Sequence, residues 1–301
     1  MSSPAVAEPR PSTLKVWWLA CRPATLLAGV TPVVVGAALA LANGVFQLGP
    51  ALGALLGATF IQIGTNLAND YYDFKKGADT DARLGPARAA QKGWLTPREV
   101  ATGTAVALGL AFLTGLYLVA VAGWPILALG LVSIALAVGY TGGPYPLAYH
   151  GLGDLFVLIF FGYAAVAGTY YVQALTVAPE VWLAATPVGA LATAILVVNN
   201  LRDRFTDAEA NKRTLAVRFG APAARIENSL LFAVAYAAPM MAVSLGWGGL
   251  GWLLPLLSLP LAMRQVRAVW QTDGAALNPH LGATARLELL VGALLAIGVN
   301  L

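Results

Sequence analysis

Charge is what this chain has least of. Only 11% of its 301 residues are Asp, Glu, Lys or Arg, against roughly 25% in ordinary soluble domains, whereas hydrophobic residues reach 58% and mean hydropathy is +0.72. That balance excludes a soluble globule and points to a polytopic membrane protein. Cysteine occurs once, at Cys21, which excludes an internal disulfide or a cysteine metal cluster and leaves a small apolar filler as the plain reading. Histidine occurs only at His150 and His280, so no histidine cluster competes for a soft metal, and His150 reads as a loop residue. The opening string MSSPAVAEPRPSTLK lacks a basic start, a short apolar core and a small-residue cleavage site in that order. No cleaved signal is therefore expected, and the first span should anchor directly.

What is plentiful is glycine, with 32 residues, and long apolar runs, a combination that suits close packing of helices in lipid. Reading those runs between polar or Gly/Pro punctuation predicts nine spans: 24–43, 49–70, 98–121, 124–141, 153–175, 180–200, 223–245, 249–266 and 282–300. The expected class is an all-α membrane bundle of nine helices, with a segment 1–22 ahead of one transmembrane domain, 23–301.

Basic residues test that count. All 18 fall on one side of it: Arg10, Lys15 and Arg22; Lys75 to Arg98; Arg202 to Arg225; and Arg264, Arg267 and Arg286. The opposite loops, AGW near 122, TVAPE near 176 and GWGGLG near 246, hold no lysine or arginine, so the N-terminus and basic loops are expected in the cytoplasm and the chain in the inner (plasma) membrane.

Acids are concentrated too. NLANDYYDFKKGADTD at 66–81 and NNLRDRFTD at 199–207 carry similar chemistry after spans two and six, which suggests a pseudo-repeat of helices one to four and five to eight, followed by helix nine. On helical ends, Asp70 and Asp73 share a face with Asn66, and Asp203 and Asp207 do the same below Asn199 and Asn200. Two such carboxylate faces repel themselves without a cation between them, and hard oxygen donors of this kind suit Mg²⁺ held jointly with phosphate oxygens. Asp79 and Asp81 are candidates for the same role or parts of a polar turn around Gly77.

Lys75, Lys76, Arg83, Arg88, Lys92, Arg202, Arg204, Lys212 and Arg213 surround these acids and could grip a polyanion, or serve only as solvated loop charge. Carboxylates for Mg²⁺ beside bases for phosphate, with apolar helices behind, ask for a substrate that is half phosphate and half hydrocarbon. A polyprenyl diphosphate is such a molecule. Its allylic C–O bond ionises when charge on the leaving group is neutralised, and a membrane cavity keeps water from the resulting cation.

Five ordered stretches make the reading more specific: WLACRPATL at 18–26, NDYYDFKKGADT at 69–80, GPARAAQKG at 85–93, YTGGPYPLAYHGLGD at 140–154 and NNLRDRFTDAEANKRTLAVRFG at 199–220. Together they resemble the UbiA superfamily of intramembrane prenyltransferases, and within it the menaquinone branch that prenylates 1,4-dihydroxy-2-naphthoate with loss of CO₂ and diphosphate.

The resemblance implies Asp70, Asp73, Asp203 and Asp207 as catalytic metal ligands, with Asn66 in the first motif. Asp79 is the outer acid, but it stands six residues after Asp73 where related hydroxybenzoate enzymes use four. Arg22, Lys212 and Arg213 are expected diphosphate or carboxylate contacts, Arg22 being equally readable as a membrane anchor; Lys75, Arg83, Asn199 and Asn200 beside the acids, and Gln91 and Lys92 in a loop that would cap the site, are further candidate substrate contacts. Tyr140 would orient the acceptor or face the cation with its ring, or belong to an interfacial tyrosine belt.

Alternative acceptors are 4-hydroxybenzoate, homogentisate or a chlorophyllide-type ring. No nucleic-acid partner is expected. An ion-coupled transporter would require charges at span centres, and span interiors are expected to be empty of them. A non-catalytic scaffold would have no use for two paired-acid sites.

Overall fold

The computed structural model describes residues 11–78 and 84–301; Arg10, Asp79, Asp81 and Arg83 fall outside it. Among the described residues every regular element is helical. Besides two short 3₁₀ turns, Leu147–Tyr149 and Gly274–Leu277, in chain order they are α1 (Thr13–Ala20), α2 (Pro23–Ala42), α3 (Leu48–Lys75), α4 (Pro97–Ala122), α5 (Trp124–Gly139), α6 (Gly153–Val157), a π-helical stretch (Leu158–Ala164) and α7 (Ala165–Ala174). Then follow α8 (Glu180–Glu209), α9 (Leu215–Ser244, broken at Gly220), a 3₁₀ stretch (Leu250–Ser258), α10 (Leu259–Gln271) and α11 (Asn278–Gly298). Seven helical segments are long and apolar enough to cross a bilayer, and the chain is a multi-pass membrane protein.

Local signals set several boundaries. Thr96 caps α4 through a reciprocal pair with Glu99, its hydroxyl accepting from the Glu99 N–H while the Glu99 carboxylate accepts from the Thr96 N–H; Pro97 occupies the first helical position. Gly123, at φ 77°, ends α4 and starts α5 within one residue.

The expected spans and the observed helices differ instructively. α3 and α8 run past the predicted ends at 70 and 200, so Asp70, Asp73, Asp203 and Asp207 all lie on helix and not in the following loops. The polar strings end the hydrophobic run but not the helix, because Asp70, Asp73 and Asp203 find partners inside the protein.

The expected fifth span holds a π-helical stretch where Gly162 meets Gly189 of α8; a Cβ on either glycine would stand 2.7 Å from the other's Cα. In the expected eighth span, Pro255 sits within a 3₁₀ stretch before α10 takes over. α5, with 16 residues, rises about 24 Å, short of the roughly 30 Å hydrocarbon core.

Span interiors are not empty of ionisable residues, contrary to expectation. Glu288 of α11 is fully buried, facing Thr31 of α2.

α8 is the central helix: Val181, Ala184, Ala185, Val188, Leu191 and Ala194 are all inaccessible to solvent, packed by α2, α7, α9 and α11. α3 packs most extensively on α4, and α8 on α9. α1 belongs to the folded body, since Val16 and Ala20 join Leu67, Ala89, Ala90, Leu95 and Val100 in a cluster that clamps the segment after α3 onto the helix ends.

Candidate active site

A cavity of about 750 Å³ runs between the helices. Asp73, Arg88, Asn199, Asp203, Asp207 and Lys212 line one end, and Ala54, Leu118, Ile126 and Val172 line the other. Along α3 alone, from Ala54 to Asp73, the helical rise is about 28 Å. The charged groups are gathered at a single end.

Asp73 is the hub of that end. Only 2% exposed, it accepts from Arg88 Nη2 at 2.9 Å on Oδ2, and from Lys212 Nζ and the Tyr149 hydroxyl, both at 3.0 Å, on Oδ1. Lys76 donates to the Thr141 carbonyl at 2.6 Å and lies 4.3 Å from the centre of the Tyr149 ring; Lys212 lies 5.1 Å from the same ring. Partial desolvation holds the Lys76 ammonium below its ordinary range; Asp73 pulls it back up and Lys212 pushes it further down.

Asp70, one turn earlier, does not line the cavity. Its Oδ2 accepts from the backbone N–H groups of Ala89 at 3.1 Å and Ala90 at 3.4 Å. The carboxylate expected beside Asp73 on a metal face thus anchors the loop 84–96, which lays Pro86, Arg88 and Trp94 on the cavity. Asn66 lines the cavity but gives its amide to the Cys21 carbonyl at 2.9 Å and the Thr25 hydroxyl at 2.8 Å, bracing the start of α2. The neighbouring Asn69 accepts from the Thr141 hydroxyl and also faces the cavity.

On α8, Arg202 is buried and forks onto Asp203, with Nε to Oδ1 at 2.7 Å and Nη2 to Oδ2 at 2.5 Å. The same guanidinium reaches Asn199 at 2.8 Å and Asn278 of α11 at 2.9 Å. Arg204 turns outward to Asp273, whose carboxyl it holds below the usual carboxylate range.

The remaining expected residues divide. Arg22 lines the cavity from a left-handed backbone, φ 52°, a conformation costly for a side chain this large and sustained where the surroundings require it. Tyr140, Asn200 and Lys212 also line it, whereas Lys75, Gln91, Lys92 and Arg213 do not. Lys75 lies 5.8 Å from the Tyr71 ring, and Arg213 contributes backbone, its N–H donating to the Tyr149 carbonyl at 3.0 Å. His150 stacks on Tyr145 in the loop before α6, as a loop histidine should.

The sequence pattern assigns no role to Asn69, Tyr149 or Asp154, and places Arg88 only among the surrounding bases. Tyr149 and Asp154 lie inside the string 140–154, and Asn69 precedes Asp70; their positions in those strings were the available signal.

Among the described residues no three His, Cys, Asp or Glu side chains converge on one point as a metal cage. The donors at the mouth are oxygens of carboxylates and amides, the set that Mg²⁺ takes with phosphate oxygens and water, and cations now occupy the Asp73 and Asp203 carboxylates. The donor chemistry fits a hard divalent ion shared with a bound anion.

Comparison with known proteins agrees with this geometry. The UbiA prenyltransferase family model matches residues 29–284. The 1,4-dihydroxy-2-naphthoate octaprenyltransferase of Escherichia coli (strain K12) is 40% identical over 304 residues, covering 98% of both chains. That of Mycobacterium tuberculosis (strain ATCC 25618 / H37Rv) is 40% identical over 284 residues, covering 94% of this chain and 95% of its own. Among solved structures, a UbiA homolog from Aeropyrum pernix K1 superimposes with a TM-score of 0.69 at 18% identity, covering 91% of this chain and 96% of its own. A UbiA homolog from Archaeoglobus fulgidus bound to DMAPP and Mg²⁺ gives 0.61 at 18% identity, covering 93% and 99%.

Proposed function

Because the chain belongs to the UbiA prenyltransferase family, we propose that it transfers a polyprenyl group from its diphosphate to 1,4-dihydroxy-2-naphthoate, releasing CO₂ and diphosphate and giving demethylmenaquinone. The observation that carries this is the cavity: acids and bases at one end, hydrocarbon along the rest. Identity of 40% over nearly the full length to relatives named for that acceptor supports its choice over other aromatic acids.

Arg22, Arg88 and Lys212 hold the diphosphate, the last two exchanging Asp73 for substrate oxygens. Asp73, Asp203 and Asp207 would hold Mg²⁺, which neutralises charge developing on the departing diphosphate. The loop 84–96 covers the mouth through Pro86 and Trp94 and excludes water. Tyr140 presents its ring to the developing allylic cation. The apolar helices hold the prenyl chain.

The accompanying topology has nine crossings, α5 and the segment Leu250–Gln271 supplying the two beyond the long helices. Helices one to four and five to eight form a pseudo-repeat, supported by the matching pairs α3 with α4 and α8 with α9. The mouth faces the cytoplasm from the inner membrane, supported by the one-sided distribution of the 18 basic residues.

The test is direct. Membranes containing the protein are incubated with polyprenyl diphosphate, Mg²⁺ and each aromatic acid in turn. Prenylated, decarboxylated naphthalenediol should form from the naphthoate and vanish on chelation. Product from hydroxybenzoate in its place, or turnover in excess chelator, would overturn the acceptor or the metal respectively.

A further inference from the structure

One acid on the cavity wall is left unused by the diphosphate chemistry. Asp154, the second residue of α6, is 5% exposed and lines the cavity with Tyr140, Leu196 and Asn200. Its Oδ1 accepts from Asn200 Nδ2 at 3.4 Å, and its buried Oδ2 has no hydrogen-bond partner among the described residues. Asp73 has Arg88 and Lys212, and Asp203 has Arg202; no cation forms an ion pair with Asp154 among the described residues.

A buried carboxylate oxygen without a donor is destabilising, so its natural complement is a ligand that brings one. A diphosphate brings acceptors and negative charge, and a prenyl chain brings neither donor nor acceptor. A ring hydroxyl brings the donor. Gly153 leaves the room: a Cβ there would stand 2.9 Å from the Tyr140 hydroxyl, so glycine lets that tyrosine lie against the start of α6, next to Asp154.

We propose that Asp154, steadied by Asn200, binds a ring hydroxyl of the aromatic acceptor and accepts its proton as the new carbon–carbon bond forms. This rests on the prenyl-transfer reading above. In the naphthoate the 1-hydroxyl is ortho to the reacting carbon, so moving its proton to Asp154 makes that carbon more nucleophilic. The carbon then bonds to the allylic carbon as the C–O bond to diphosphate breaks with its electron pair. A ketone forms at C1, the bond to the carboxylate breaks as CO₂ leaves, and its electron pair returns to the ring. The phenolate at C1 takes the proton back from Asp154. The proton is lent and returned, and no oxidant or reductant is consumed.

The experiment uses the full-length protein in lipid nanodiscs, wild type and Asp154→Asn, with two acceptors, the naphthoate and its 1-O-methyl ether. Radiolabelled prenyl diphosphate binding is measured in parallel. Asp154→Asn should bind prenyl diphosphate within about twofold of wild type while kcat for the free-hydroxyl acceptor falls about 10²- to 10³-fold. Wild type should lose a similar factor on the methyl ether, and Asp154→Asn should lose little more on it, since both changes remove the same interaction.

Undiminished turnover by Asp154→Asn overturns the proposal, as does a loss of prenyl diphosphate binding that matches the loss of turnover. Full wild-type turnover of the methyl ether also overturns it, and that comparison needs no variant to fold. Absence of product from the wild type with the naphthoate would sink the prenyl-transfer reading itself. Wild-type turnover matched by Asp154→Asn sinks only the assignment of Asp154.

Discussion

At the end of α3, Asp73 is held by residues from three other places in the chain, Arg88, Tyr149 and Lys212. At the end of α8, Asp203 is held by its immediate neighbour Arg202, which is itself tied to Asn199 one turn earlier and to Asn278 of α11. The first carboxylate is fixed only once the loop 84–96, the segment 141–152 and the turn after α8 have all come together. The second is largely fixed by its own helix. One half of the mouth is therefore a rigid wall, and the other is a clasp whose bonds a bound anion can replace.

The largest effect should come from breaking the wall. Asp203→Ala strands the Arg202 guanidinium, whose side chain is 0% exposed, and should destabilise the protein by about 3–5 kcal/mol, seen as a lowered thermal midpoint in detergent. Asp203→Asn, which keeps an acceptor, should cost much less. If the two variants melt alike, Asp203 is no buried counter-ion.

The clasp should fail differently. Asp73→Asn should leave the midpoint close to wild type but raise hydrogen exchange in 84–96 and around Tyr149, and lower turnover about 10²- to 10³-fold. Unchanged exchange there would dissolve the contrast between the two ends.

Asp70→Asn sharpens the comparison further. As a loop anchor it should raise exchange at Ala89 and Ala90 and lower turnover about tenfold, in line with losing about 1–2 kcal/mol of hydrogen bonding, while leaving the Mg²⁺ concentration for half-activity unchanged. A large shift in that concentration would return Asp70 to the metal ligands.

The same contrast explains what could be read from the chain. Helical spans and the recurrence of Asn and Asp at 66–73 and 199–207 depend on local pattern, and both were legible. That Asp70 turns to backbone N–H groups nineteen and twenty residues away, while Asp73 faces the cavity, depends on how the loop folds back, which spacing cannot reveal. Lys75 and Arg204 had the right charge in the right string, yet helical phase turns the first towards Tyr71 and the second towards Asp273. Glu288 escaped notice because one acid within an apolar run barely alters its hydropathy. Asp154 lies in the string 140–154, but only the cavity shows that one of its oxygens lacks a donor among the described residues.

The gathering of the charged lining groups at one end of the cavity also bears on how a product would leave it. In the reaction proposed above the substrate would arrive tethered by its diphosphate, and the product, stripped of diphosphate and carboxylate, would keep no group for Arg88 or Lys212 to hold. Its partition coefficient then favours the bilayer, and the helices behind the mouth are already in that phase. Turnover thus carries its own exit: the reaction that joins ring to chain also turns an anchored anion into a lipid.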